Sequence, residues 1–217
     1  MARPKTEDKR KRILQAAVKV FARKGYFAAR VSDIAGKAGV ADGTIYLYFK
    51  SKEDVLVRLF GEVMAEQAEG LRKAVSALPS APERLRAIAE RHLRALGGNR
   101  DLAVVFQVEL RRSTQFMERF TASWLGDYFA LITEVMEQGQ REGALRADLN
   151  KKVATKAFFG ALDEMVTSWI IGGKGYDLAK LAAPVVDLFL LGAAAPRKVA
   201  PARPAGLATV ATGRGGR

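Results

Sequence analysis

Apolar residues recur along most of this chain at spacings of three and four, the period of a helix with one buried face, and nowhere alternate as a half-buried strand would. Ile13, Leu14, Ala17, Val18 and Phe21 mark a first helix that stops at Gly25. Ser32 is the expected cap of a second, carrying Ile34, Ala35 and Ala38 and ended by Gly39; a third, short helix starts near Asp42. Ser51 and Asp54 form a capping pair for a fourth, with Val55, Leu56, Leu59, Phe60, Val63 and Met64 on one side. After Pro79 and Pro82 a fifth helix aligns Leu85, Ile88, His92, Leu93 and Leu96 and ends at Gly97 and Gly98. Leu102 to Phe106 is apolar all round, which predicts a sixth helix buried on every side.

A long helix over 114–140 carries Phe116, Phe120, Trp124, Tyr128, Ile132, Val135 and Met136. Asn150 caps another, whose apolar side holds Val153, Ala157, Phe158, Ala161, Leu162, Met165, Trp169 and Ile170. Beyond the glycines at 172–175 a last helix holds Leu178, Leu181, Val185, Leu188, Phe189 and Leu191 on more than one face, and Pro184 should kink or split it. The fold class expected is all-α with about nine helices: a helix-turn-helix head over 1–50, a helical-bundle body over 51–195 and a disordered basic tail over 196–217.

Charge separates head from body. Residues 1–60 hold 14 Lys or Arg against 6 Asp or Glu, the tail from Pro196 holds 5 against none, and the stretch between holds 17 against 17, within a net charge of +13. A basic head on a neutral body fits a nucleic-acid module, because Lys and Arg displace the counterions condensed on a phosphate lattice. The residues 1–11, with Arg12, read as a basic arm able to touch phosphates. On the third helix Gly43, Thr44, Tyr46 and Tyr48 are small, hydroxylated or aromatic, as a helix end pressed against bases and phosphates requires. Thr44 and Tyr46 are expected nearest the base edges, with Tyr48, Lys52, Ser32 and Arg30 on phosphates; the alternative is that one tyrosine packs inside the head. No Cys and one His leave neither a thiolate metal site nor a histidine cluster, and no nucleophile has a plausible partner base, so the expectation is no enzyme, no metal and no cofactor. A lone His92 on an apolar face reads as a hydrogen-bonded core residue. The longest apolar runs fall far short of the about 18 residues that a membrane span needs, and the N-terminus is charged. Neither membrane association nor secretion is therefore expected, and the chain is placed in the cytoplasm.

The run AGVADGTIYLYFKSKEDVL, Ala38 to Leu56, resembles the signature of the TetR family of bacterial transcriptional regulators: a Gly-containing turn, a Tyr-x-Tyr-Phe recognition helix and a Ser-Lys-Glu-Asp start to the next helix at fixed offsets. It covers about the first quarter of the chain. QVELRRS, Gln107 to Ser113, and FFGALDEMVTSWIIGGKGYDL, Phe158 to Leu178, are similar to the FadR-like branch, whose members respond to long-chain acyl-CoA. The resemblance implies a homodimer through the last two helices of each subunit, two heads on a palindromic double-stranded operator, and a repressor of fatty-acid degradation genes released by its effector. An acyl chain needs a dry tunnel, for which Phe106, Leu110, Phe116, Phe120, Trp124, Phe158, Leu162 and Trp169 are candidates. The CoA phosphates need cations, for which Arg111 and Arg112, beside Glu109, are candidates with Arg91 or Arg94. Spacing alone equally allows a plain ion pair between Glu109 and Arg112 under a filled core. The resemblance favours acyl-CoA over a repressor of efflux or other genes whose aromatic pocket takes an aromatic or cationic molecule.

Overall fold

The computed structural model describes residues 5–112, 118, 125–173 and 175–193. Among them stand nine α-helices: α1 (Lys5–Lys24), α2 (Val31–Ala38), α3 (Asp42–Tyr46), α4 (Lys52–Ser76), α5 (Ala81–Gly97), α6 (Arg100–Val104), α7 (Gly126–Arg141), α8 (Lys151–Gly172) and α9 (Ala182–Ala193). Helix α6 continues into a wide π-turn, Val105–Glu109, and a tight 3-10 turn, Leu110–Arg112; a second 3-10 turn, Leu178–Leu181, precedes α9. No helix among the described residues is long and apolar enough to cross a membrane.

The buried side chains form two clusters. One joins α1, α2 and α3 to the first half of α4 and to Leu102, Val105, Phe106 and Leu110 of the α6 segment; Phe60 of α4 meets Phe106 edge to face at 4.4 Å. The other packs the end of α4 with α5, α7, α8 and α9 around Ile88, Leu93, Ile132, Met136, Phe158 and Leu162. Helix α4, roughly 37 Å long at about 1.5 Å per residue, contributes to both.

Local chemistry sets most helix ends as expected. Ser51, Ser80, Asn99 and Asn150 accept backbone N–H groups of the first turns of α4, α5, α6 and α8. Gly39, in the left-handed conformation, closes α2, and the Ala38 carbonyl exposed there accepts Arg12 Nη2 at 2.6 Å. Four expectations change. Arg30, not Ser32, precedes the first turn of α2; Asp33 reaches back to the Arg30 amide at 2.9 Å, so Ser32 is left facing solvent. The basic arm expected before the first helix is helical from Lys5, since Ile13 and Leu14 anchor a helix that Glu7 and Asp8 favour near its N-terminus. Pro184 breaks nothing inside α9: it occupies the first turn, where a missing N–H has no carbonyl to serve, and the split falls before it, at the 3-10 turn. Val153 is 63% exposed, because α8 turns its buried stripe through Ala154, Phe158, Leu162 and Val166 instead. The basic tail and most of the aromatic stripe over 114–124 lie outside the described residues.

Lys52, expected on a phosphate, is turned inward. Its ammonium donates to the carbonyls of Tyr26 (2.7 Å), Phe27 (3.3 Å) and Ala29 (2.8 Å) and stands 4.6 Å from the centre of the Tyr26 ring. Its three protons thus satisfy the turn between α1 and α2, and partial burial lowers its pKa. Lys52→Met keeps the stem and leaves three carbonyls unmet. It should lower stability by ~1–3 kcal/mol, a fall of several degrees in the melting temperature, while the salt dependence of DNA binding stays that of the parent protein. An unchanged melting temperature with a flattened salt dependence would return Lys52 to the phosphates.

Candidate functional site

The head presents its polar face at α3. Ile45 and Phe49 are buried beneath it, and the two residues after Ile45 turn outward: Tyr46 is 58% and Leu47 81% exposed. Gly43 is open, with nothing within 4 Å of where a Cβ would stand, and Thr44 is half-buried. Helix α3 ends at Tyr46, so Tyr48 lies past the helix and packs partly on the head core beside Phe49, the role open to one of the two tyrosines. Arg30 and Ser32 are exposed at the start of α2. Leu47 carries no polar group to mark it in the sequence, yet it is the most exposed large apolar side chain of this segment, which suits the methyl group of a thymine.

Where the two cores meet, packing is incomplete. A cavity of about 150 Å³ lies between Val63, Met64 and Leu71 of α4, Leu96 of α5, Phe106 and Leu110 of the α6 segment, and Tyr128 and Leu131 of α7. Its lining is mostly apolar. Its volume is below the ~300–1,000 Å³ of typical ligand pockets, so an extended ligand must push walls apart to enter. Arg72, solvent-exposed and loosely paired with Glu134 at 3.7 Å, stands at its edge. Arg91 also borders it, its guanidinium laid so close to α4 that a Cβ on Gly70 would fall 2.8 Å from its Cζ.

The polar groups on the wall are mostly matched to one another. Arg111 Nη2 is 2.7 Å from both oxygens of Asp163, Asp163 Oδ1 accepts Gln107 Nε2 at 2.8 Å, and Thr167 donates to Gln107 Oε1 at 3.4 Å. His92 Nδ1 lies 3.2 Å from the Tyr128 hydroxyl. Burial drives the His92 pKa down to about 4 despite the opposing pull of Asp163, and raises that of Tyr128, so both are neutral over the physiological range.

Of the ligand-contact candidates, Phe106, Leu110 and Arg111 border the cavity, though Arg111 is engaged by Asp163. Phe158 and Leu162 are fully buried in the body core, and Trp169 donates to the Tyr176 carbonyl at 3.0 Å under the Arg100 guanidinium; none borders the cavity. Phe116, Phe120 and Trp124 lie outside the described residues. Glu109 and Arg112 point to the head. Glu109, 4% exposed, accepts the Tyr26 amide at 2.7 Å; Arg112 pairs with it at 3.7 Å and covers the Phe27 ring at 5.8 Å. The ion pair allowed by spacing is therefore present, and with it a link that spacing did not show: a single π-turn puts Phe106 and Gln107 on the cavity and Glu109 on the loop that begins the helix-turn-helix. Arg94 pairs with Glu90 at 4.0 Å on the surface.

Residues 13–59 match the model of bacterial regulatory proteins of the tetR family, and residues 60–192 match that of the YsiA-like protein C-terminal region. The fatty acid metabolism regulator protein of Bacillus subtilis (strain 168) is 38% identical over 180 residues, 83% of this chain and 93% of that one. The crystal structure of the transcriptional regulator FadR from Bacillus subtilis in complex with stearoyl-CoA superposes with a TM-score of 0.79 at 37% identity, covering 84% of this chain and 98% of that chain. The fatty acid degradation regulator FadR from Bacillus halodurans also gives 0.79, at 39% identity and the same coverage.

The single histidine makes the cavity directly observable. Its ring proton resonance should titrate with a midpoint near 4 rather than the ordinary 6.5. Between those values the unfolded chain binds a proton that the native protein refuses, so this contribution to stability is complete above pH ~6.5 and lost as pH falls toward ~4, by at most ~3 kcal/mol. A midpoint near 6.5 would mean that the ring is solvated.

Proposed function

This chain belongs to the TetR family of bacterial regulatory proteins, and on that premise we propose that it is a repressor of fatty-acid degradation genes, binding a palindromic operator as a homodimer and releasing it when a long-chain acyl-CoA occupies the cavity. The observation that carries the reading is the double use of the π-turn: the wall that a ligand must displace holds the head by the Glu109 carboxylate. A ligand favouring a widened cavity and an operator favouring the present one oppose each other through that segment, and release follows from their different preferences.

At the DNA, Thr44, Tyr46 and Leu47 meet base edges in the major groove, while Gly43 allows close approach and Arg30, Ser32 and Tyr48 hold phosphates. In the cavity, the acyl chain runs among Met64, Leu71, Phe106 and Leu131, and the CoA phosphates lie toward Arg72 and Arg91 rather than Arg111 and Arg112, whose charges are already matched. The kinship with a regulator crystallised with stearoyl-CoA supports this choice of ligand. The dimer seam forms from α8 and α9, where Ile171, Leu188 and Leu191 stand largely exposed on helices that already bury another face.

The test is release of a palindromic operator, read by fluorescence anisotropy, with lauroyl-CoA, stearoyl-CoA, laurate, CoA and an aromatic cation. Release by the two acyl-CoAs alone is expected; release by the cation but not by them would favour a multidrug-type repressor. Glu109→Gln should bind acyl-CoA within about twofold of the parent yet show at least a roughly fivefold smaller ratio of operator affinities without and with ligand, since the charge-assisted link is gone. An undiminished ratio would place the coupling elsewhere. Leu188→Asp puts an unpaired carboxylate into the seam and should yield a monomer by light scattering; a persistent dimer would move the interface off α9.

A further inference from the structure

One polar pair on the cavity wall is not matched by its neighbours. His92 and Tyr128 both border the cavity and share one hydrogen bond, Nδ1 to the hydroxyl at 3.2 Å, while His92 Nε2 is buried with no hydrogen-bond partner among the described residues. The neutral pair carries two mobile hydrogens, one on the imidazole and one on the phenol. If the phenol donates to Nδ1, the Nε2 hydrogen is left over; if Nδ1 donates to the phenol, the phenolic hydrogen is left over. In either arrangement one donor remains unused in a buried, largely apolar place, where an unmet donor costs free energy. Phe159 stands edge-on to both rings, at 5.8 Å from His92 and 6.0 Å from Tyr128, and closes the pair against Tyr128's helix.

The chemistry of the missing partner is narrow. It must be an acceptor, since the pair lacks one, and it must be uncharged. A carboxylate here would be stripped of its hydration, would meet a neutral imidazole, and would lie near the Asp163 carboxylate, which raises the His92 pKa through space. Asp163 itself is engaged by Gln107 and Arg111, and Arg91, whose buried Nε also has no partner among the described residues, is the wall cation assigned above to the CoA phosphates, on the headgroup side of this point. A carbonyl oxygen carried on an apolar chain meets these conditions.

Resting on the acyl-CoA reading above, we infer that the His92–Tyr128 pair is the carbonyl-recognition point of the cavity, donating its unused hydrogen to the thioester oxygen of the bound ligand. The ligand is thereby pinned at the junction of its chain and its headgroup. Chain length is then measured from a fixed origin, and a free fatty acid, ionised at that origin, is refused although its chain would fit.

The experiment compares lauroyl-CoA with S-dodecyl-CoA, in which a methylene replaces the carbonyl, by calorimetric titration of the full-length protein and by the single histidine resonance. The parent protein should bind the thioether about tenfold more weakly, and the histidine resonance should move with the thioester only. Tyr128→Phe combined with His92→Phe, in a protein whose operator affinity and melting temperature show it folded, should bind the two ligands within about twofold of each other. If that variant does not fold, the histidine resonance of the parent decides. Equal binding of both ligands by the parent, with an unmoved resonance, overturns this inference and leaves the acyl-CoA reading standing. If neither ligand binds, the acyl-CoA reading fails and this inference with it.

Discussion

The buried hydrogen bond from the Tyr26 amide to the Glu109 carboxylate is the constraint on which the relation of the two cores depends. It is a charge-assisted bond taken out of solvent, with Arg112 beside it, and it joins the loop after α1 to a segment far along the chain. The same loop is also held by Lys52, from α4, through three carbonyls. The turn is thereby tied to α4 and to the α6 segment at once.

Around that fixed point the molecule is built to be rigid at its ends and loose between them. Ile13, Phe21, Ile34 and Ile45 in the head and Ile88, Ile132, Phe158 and Leu162 in the body are fully buried, whereas the middle of α4 carries half-exposed Val63, Met64 and Gln67 along the cavity. Close-packed regions transmit displacement, and an unfilled one admits it. The cavity sits at the seam beside the π-turn of the α6 segment, whose Phe106 lines it and meets Phe60 edge to face.

The helices, most of their caps and the exposed face of α3 are legible in the sequence, because each depends on residues close together in the chain: Gly39 as a stop, Ser51 with Asp54, Asn150, and the alternation of buried Ile45 and Phe49 with exposed Tyr46. The wall of the cavity is less so. Apolar periodicity says that a face is covered, not whether what covers it fills the space, and Phe158, Leu162 and Trp169 belong to the core while Phe159, one position on from Phe158, borders the cavity. The direction of Glu109 is hidden for another reason. An extra residue in the π-turn rotates everything after it relative to a regular helix, so Glu109 and Arg112 turn away from the cavity that their spacing offers them. Lys52 is misread because a cation in a first turn has the same sequence whether it faces a phosphate or its own chain.

The length of α4 sets a geometric gain. A side chain pushed aside at Leu71 acts near one end of a rod whose other end packs into the head, ~28 Å away at about 1.5 Å per residue. Tilting such a rod by about 7° displaces the far end by roughly 3 Å, close to the ~3.4 Å between successive bases of one strand. Two such heads tilting in opposite senses would double that displacement against a fixed half-site spacing.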